Sequence, residues 1–242
     1  MIAVLLACTV IADAGTGKVL RQDGVCDQQV TPASTFKIAI SLMGYDSGYL
    51  TGEHLPLLRY RIGDPDWDSS WKLPTDPASW IKSSVVWYSQ RVTEWLGEAR
   101  FRQYVQAFHY GNEDVIGESA LQSAWLSSTL KISPLQQIQF LQKLVNGKLP
   151  VSAKAVEMTA RLTAAGNFNG WEVHGKTGSG FPAKPAGGLD TAHAYGWYVG
   201  WAVKAGRTIV FAYLIQDEKQ LEPRAGLRAR EEFLRQFSSL AL

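Results

Sequence analysis

The sequence predicts an α/β fold of the α+β type: an antiparallel sheet built from N- and C-terminal strands, covered by helices, with a helical lobe inserted between them. Three patterns carry this expectation. Short strand-like segments bounded by Gly lie near both ends of the chain, apolar residues recur at helical spacing through the middle, and the last segment is again amphipathic at helical period. The 242 residues suffice for a single domain, with its sheet region at about 1–30 and 170–242 and its helical lobe at about 31–169. Hydrophobic residues make up 46% and charged residues 19%, which fits a packed core rather than a disordered chain. The 24 Lys and Arg against 22 Asp and Glu leave a net charge of +2, too balanced for a nucleic-acid or membrane-surface binder. Nine Trp imply a large core or an aromatic-lined cleft, and composition leaves both open.

Residues 2–12 read as the first strand of the mature domain, and residues 2–30 as a hairpin turning at Gly15–Gly17. The opening Met1-to-Cys8 run imitates a signal core, but it lacks a basic start and flows into strand pattern, so any secretion signal is expected to be absent. No run is long and apolar enough to span a bilayer. Cys8 and Cys26 are either a bridge formed in an oxidising compartment or two buried thiols, since a tight turn would not place them directly opposite each other.

Pro32 precedes a helix of about three turns carrying Phe36, Ile38, Ala39, Ile40, Leu42 and Met43 and ending near Gly44–Gly48. Residues 49–75, rich in Pro, Gly, Asp and Trp, read as irregular surface. Asp76-Pro77 starts a helix that breaks near Ser83–Ser84 and reaches about Gly97, with a further helix over 98–108. Residues 110–131 read as a long loop. Ser133-Pro134 opens the next helix and Gly147 stops it, and Ser152 caps a shorter one to about Leu162. The period then changes: 171–178, 194–204 and 207–216 are strands, and 222–240 is the closing helix.

Three motifs carry chemistry. In Ser34-Thr35-Phe36-Lys37 the lysine, three residues on, projects from the same helical face as the serine and can take its proton. A capping serine with a solvated lysine explains the same four residues, so alone the motif is weak. Lys176-Thr177-Gly178 ends a strand, where an ammonium and a hydroxyl can hold a carboxylate and the glycine lets a ligand approach. Ser84-Val85-Val86 sits at the helix break, where a serine can pass protons between Lys37 and Lys176 or simply cap a helix.

The order and spacing of the three resemble the penicillin-recognising serine enzymes, β-lactamases and penicillin-binding transpeptidases, over nearly the whole chain. Tyr110-Gly111-Asn112, the segment Pro32–Lys37, Trp125-Leu126 followed by Leu130–Ser133, the aromatic run Tyr195–Trp201 and Gly226-Leu227-Arg228 resemble class D, the oxacillin-hydrolysing β-lactamases. Trp71 fits a tryptophan flanking the cleft. Between Tyr110 and Trp125 there is no Glu-x-x-Leu-Asn, the class A signature for activating the deacylating water.

The resemblance implies a β-lactamase/transpeptidase-like fold and hydrolysis of small-molecule β-lactams, in the periplasm or outside the cell. It implies Ser34 as nucleophile and Lys37, N-carboxylated by carbon dioxide, as general base in both half-reactions. Burial lowers a lysine's pKa, and Phe36, Val86, Trp125 and Leu126 would form the apolar wall. The Trp125 N–H would serve the carbamate, Ser84 would return a proton to the ring nitrogen, and Lys176, Thr177 and Arg228 would anchor the substrate carboxylate. The backbone N–H groups of Ser34 and Ser179 would hold the oxyanion. Asn112 is expected to order its loop. No metal is expected, because His54, His109, His174 and His193 lack ligand spacing. The Ser179–Ala194 segment is long for a hairpin connection and either overhangs the cleft or is plain surface loop. A β-lactam sensor domain that acylates without turnover, and a peptidoglycan transpeptidase or carboxypeptidase, are the alternatives.

Overall fold

A computed structural model of the chain describes residues 7–117, 119–184 and 186–237. Strands Cys8–Asp13 (β1), Val19–Gly24 (β2), Ala164–Phe168 (β3), Trp171–Gly180 (β4), Tyr195–Lys204 (β5) and Arg207–Gln216 (β6) form one antiparallel sheet in the order β2-β1-β6-β5-β4-β3. The two ends of the chain meet where β1 pairs with β6 from Cys8↔Leu214 to Asp13↔Ile209. Alternation along each strand serves two cores. Val10, Ala12, Val199, Trp201, Val210 and Ala212 face the helical side, while Ile11, Tyr198, Ala202, Ile209, Phe211 and Tyr213 face the closing helix Ala225–Phe237.

The inserted helices are Lys37–Asp46 (α1), Pro77–Ser83 (α2), Val86–Phe108 (α3), Ala120–Ser127 (α4), Pro134–Val145 (α5) and Ala153–Thr163 (α6), and Ala225–Phe237 is α7. Asp76 and Ser133 each close a capping box ahead of a first-turn Pro, so α2 and α5 start where the sequence places them. Gly97, at φ 73°, breaks α3. In α1 every residue from Lys37 to Tyr45 is buried, so this helix runs through the core with no solvent face, and its first residue is a lysine.

Three expectations change, and one open alternative is decided. Residues 110–131 are not all loop: α4 forms there without a side-chain cap, held by burial of Ala120, Ala124 and Trp125. The strand β3, Ala-Ala-Gly-Asn-Phe, has weak strand propensity and forms because β4 offers an edge to pair with. The helix after Pro32 begins as a 3-10 turn over Ala33–Phe36. Cys8 and Cys26 are bridged; Cys8 lies opposite Gly24, and the left-handed turn at Gly24, φ +83°, brings Cys26 within a Cα–Cα distance of 5.2 Å. Residues 2–6 of the expected first strand and 238–240 of the closing helix lie outside the described residues.

Candidate active site

The 3-10 turn is what brings Ser34 and Lys37 together. Side chains at i and i+3 eclipse in that geometry, and Lys37 Nζ donates to Ser34 Oγ at 3.0 Å. Ala33, just before the serine, holds φ 49°, a left-handed conformation that a residue with a Cβ adopts at a cost. Packing imposes it: Thr35 donates through its backbone and its hydroxyl to Pro32 O, and Gln137 of α5 donates to Thr35 Oγ1.

A second serine–lysine pair faces the first. Ser84 caps α2 at φ 58°, another left-handed non-glycine residue, and Lys176 Nζ donates to Ser84 Oγ at 3.1 Å. Trp71 fixes this turn: it is 2% exposed and its indole N–H donates to Ser83 O at 2.9 Å. Trp87 in turn donates to Trp71 O. The strand β4 is laid directly on the nucleophile's turn, since a Cβ at Gly178 would stand 2.9 Å from Pro32 O and 3.1 Å from Thr35 Cγ2.

Burial sets the protonation of both amines. Lys37 is fully buried, and desolvation, reinforced by the charge of Lys176, holds its pKa well below the usual lysine value. Lys176 is 4% exposed, and desolvation followed by the Arg230 charge lowers it to about 7. Beside Lys37 the wall is Phe36 and Trp125, whose rings lie 5.7 Å apart. Among the described residues the buried Trp125 indole N–H has no hydrogen-bond partner, an unsatisfied donor that invites an acceptor.

These groups line or adjoin a cleft of about 450 Å³ whose walls include Ser34, Trp71, Ser84, Val86, Leu126, Thr177, Gly178 and Ser179. Lys37, Trp125 and Lys176 lie buried behind those walls. The Ser179 hydroxyl accepts from Gly226 N at 2.9 Å and so joins β4 to the start of α7. Tyr110 packs against Phe36, and Asn112 ties its loop together by bonding Thr129 O and the Lys131 backbone N–H.

Arg228 is tied to a buried acid. Its guanidinium pairs with Asp217 and donates to Pro223 O, and it is not among the residues lining the cleft. Asp217 is only 5% exposed, and a buried carboxylate demands a cation. Arg224, one turn earlier, lines the cleft instead and donates to Trp67 O across its mouth. The segment Ser179–Ala194 also departs from the overhanging alternative: of its described residues only Ser179 lines the cleft. Sequence reading missed Arg224, Lys82, Trp67 and Leu227 as cleft walls. Three arginines within residues 224–230 gave no signal for which one lines the cleft.

The whole arrangement, two serine–lysine pairs on a sheet-and-helix cleft, is that of the penicillin-recognising serine enzymes, and the chain belongs to that class: the penicillin binding protein transpeptidase domain family matches residues 7–239. It is 42% identical over 241 residues to β-lactamase OXA-9 of Klebsiella pneumoniae, covering 95% of this chain and 86% of the relative. It is 32% identical over 249 residues to β-lactamase OXA-1 of Escherichia coli, covering 97% and 85%. The crystal structure of the class D β-lactamase OXA-427 superposes with TM-score 0.90 at 48% identity, covering 96% of each chain. Within the class, then, this chain is a member of the class D β-lactamases.

Proposed function

We propose that the chain hydrolyses β-lactam antibiotics through an acyl-enzyme on Ser34, with the side chain of residue 37 as general base. The observation that carries this is the Lys37–Ser34 hydrogen bond of 3.0 Å made by an amine with no solvent exposure. An uncharged amine there can accept a proton, whereas an ammonium cannot. Ser34 Oγ attacks the lactam carbonyl, and its proton leaves toward the tip of residue 37. Backbone N–H groups of Ser34 and Ser179 hold the oxyanion. Ser84, hydrogen-bonded to Lys176, returns a proton to the ring nitrogen as the C–N bond breaks. Lys176, Thr177 and Arg228 attract the substrate carboxylate, and Arg224 adds a further cation in the cleft wall. Trp71, Val86 and Leu126 pack the flanks of the bound ring system.

The site also fits N-carboxylation of Lys37 by carbon dioxide: burial disfavours the charged form of the amine, and the buried Trp125 N–H is a donor open to an acceptor. Lys37 would carry the group and Trp125 would hold it. When present, the carbamate supplies an anionic base beside Ser34 that serves both halves of the reaction. No metal enters this chemistry. The Cys8–Cys26 bridge supports a periplasmic or secreted setting. Among the described residues no helix is long and apolar enough to cross a membrane.

The test is nitrocefin hydrolysis with and without bicarbonate, for wild type and Lys37→Ala. Wild type should turn over many times, faster with bicarbonate, and Lys37→Ala should acylate slowly and stay acylated. A single acylation per wild-type molecule would instead mark a sensor domain. Cleavage of D-Ala-D-Ala peptides without β-lactam turnover would mark a peptidoglycan enzyme.

A further inference from the structure

A second cavity, of about 380 Å³, opens along β4 beyond the point where β3 stops pairing with it. It is walled by the end of α2, the end of α6, the Gly175–Thr177 stretch of β4, and Arg230 of α7. Its lining carries four cationic side chains, Lys82, Arg161, Lys176 and Arg230, against one carboxylate, Glu53. That imbalance is local, because the chain as a whole is only +2. Arg161 has an exposed partner in Glu157, but among the described residues neither Lys82 nor Arg230 has a carboxylate partner. Uncompensated cations converging on a concavity are a binding device for anions, since they repel one another until a counter-charge arrives.

The lining also includes Tyr198, whose buried hydroxyl interacts with the Arg230 guanidinium. It lies against β4 where the chain has no side chain: a Cβ at Gly175 would stand 2.7 Å from that oxygen. The proposed chemistry of β-lactam hydrolysis uses none of Arg161, Arg230, Tyr198 or Gly175. The Arg230 charge is nonetheless felt by Lys176.

We propose that this cavity is a second anion-binding site, suited to a phosphate-type oxyanion and separate from the cleft that holds Ser34. Arg161 and Arg230 supply forked donors that match tetrahedral oxyanion geometry, and Lys82 adds a mobile ammonium at the wall that it and Thr177 form between this cavity and the main cleft. A bound dianion would bring negative charge to the rear of Lys176.

Inorganic phosphate is the probe. Thermal melting of the whole chain at neutral pH and constant ionic strength should rise by several degrees when phosphate replaces chloride. The phosphorus NMR line of phosphate should broaden on adding protein. R161Q/R230Q should melt close to wild type in chloride, both arginines being on exposed positions, and should lose the phosphate response, with affinity down at least about tenfold. R224Q, which removes a cation from the main cleft only, should keep it. If the double variant melts far lower in chloride, R230Q alone, read by NMR, decides the matter. No phosphate response in wild type, a response that survives R161Q/R230Q, or one abolished by R224Q would overturn the proposal.

Discussion

Replacing Lys176 with methionine should make the protein more stable at neutral pH and less so in base, while removing a group the reaction uses. Lys176 is 4% exposed and its pKa falls from 10.5 to about 7 on folding. Between those values the unfolded chain binds more protons than the folded one, so wild-type stability rises with pH across that window. Below about pH 7 the folded state carries the full penalty, on the order of 5 kcal/mol for a shift of this size. Above the unfolded value the penalty is gone. Methionine has no such penalty, but it forfeits the hydrogen bonds to Ser84 Oγ and Thr177 O, about 1 kcal/mol each. The variant should therefore be about 3 kcal/mol more stable near pH 6 and slightly less stable than wild type near pH 10. Losing the Lys176 charge also relaxes the depression of Lys37, which acts in the same direction. Urea unfolding of both proteins at pH steps from about 6 to 10, without bicarbonate, measures the difference directly. Stability curves that run parallel across this range would refute the claim that Lys176 is held by desolvation. Turnover should fall at least about tenfold, because the cation facing Ser84 is gone.

Other expectations follow from single contacts. Cys8→Ser with Cys26→Ser opens a cross-link spanning a sequence separation of 18, which should cost about 3 kcal/mol and lower Tm by about 10 °C in a thermal scan. Trp125→Phe keeps the ring against Phe36 but removes the unpartnered N–H. Its activity should drop, and recovery should need more bicarbonate than wild type requires; equal bicarbonate dependence would separate Trp125 from the carbamate. Gly178→Ala places a methyl 2.9 Å from Pro32 O, so strand and nucleophile turn must part. A loss of about 1–3 kcal/mol in urea unfolding, with a larger loss in kcat than in KM effect, is expected. Arg228→Gln leaves Asp217 buried without its counter-charge and should lower stability. Arg224→Gln should raise KM with little change in stability.

The parts of this fold that were legible before any coordinates are those set by local chemistry. Asp76-Pro77 and Ser133-Pro134 announce helix starts through their own side chains. The Trp, Tyr, Val and Ile content of β5 and β6 marks strands whatever they pack against. Ser34, Lys37, Ser84 and Lys176 were legible because their spacing matches a known arrangement. Illegible features depend on partners far away in sequence. The strand β3 exists because β4 has a free edge, and α4 because Ala124 and Trp125 find a core to enter. Arg228 shares its motif with the family, yet its guanidinium answers to Asp217, a residue no spacing rule connects to it. The 3-10 turn, too, is forced by Pro32 and Gln137 rather than by the four residues inside it.

Around the cleft, backbone lies on backbone. A Cβ at Gly226 would sit 2.4 Å from Gly178 O, one at Gly196 2.2 Å from Ala225 O, and one at Gly178 2.9 Å from Pro32 O. The turn bearing the nucleophile, two neighbouring strands and the last helix are thus laminated without any side chain as spacer. Such a frame has no soft shims that a substitution could thicken or thin. Residues on the cleft rim, Trp67 and Leu227 among them, can change for new antibiotics while the distance from hydroxyl to amine stays where the main chain puts it.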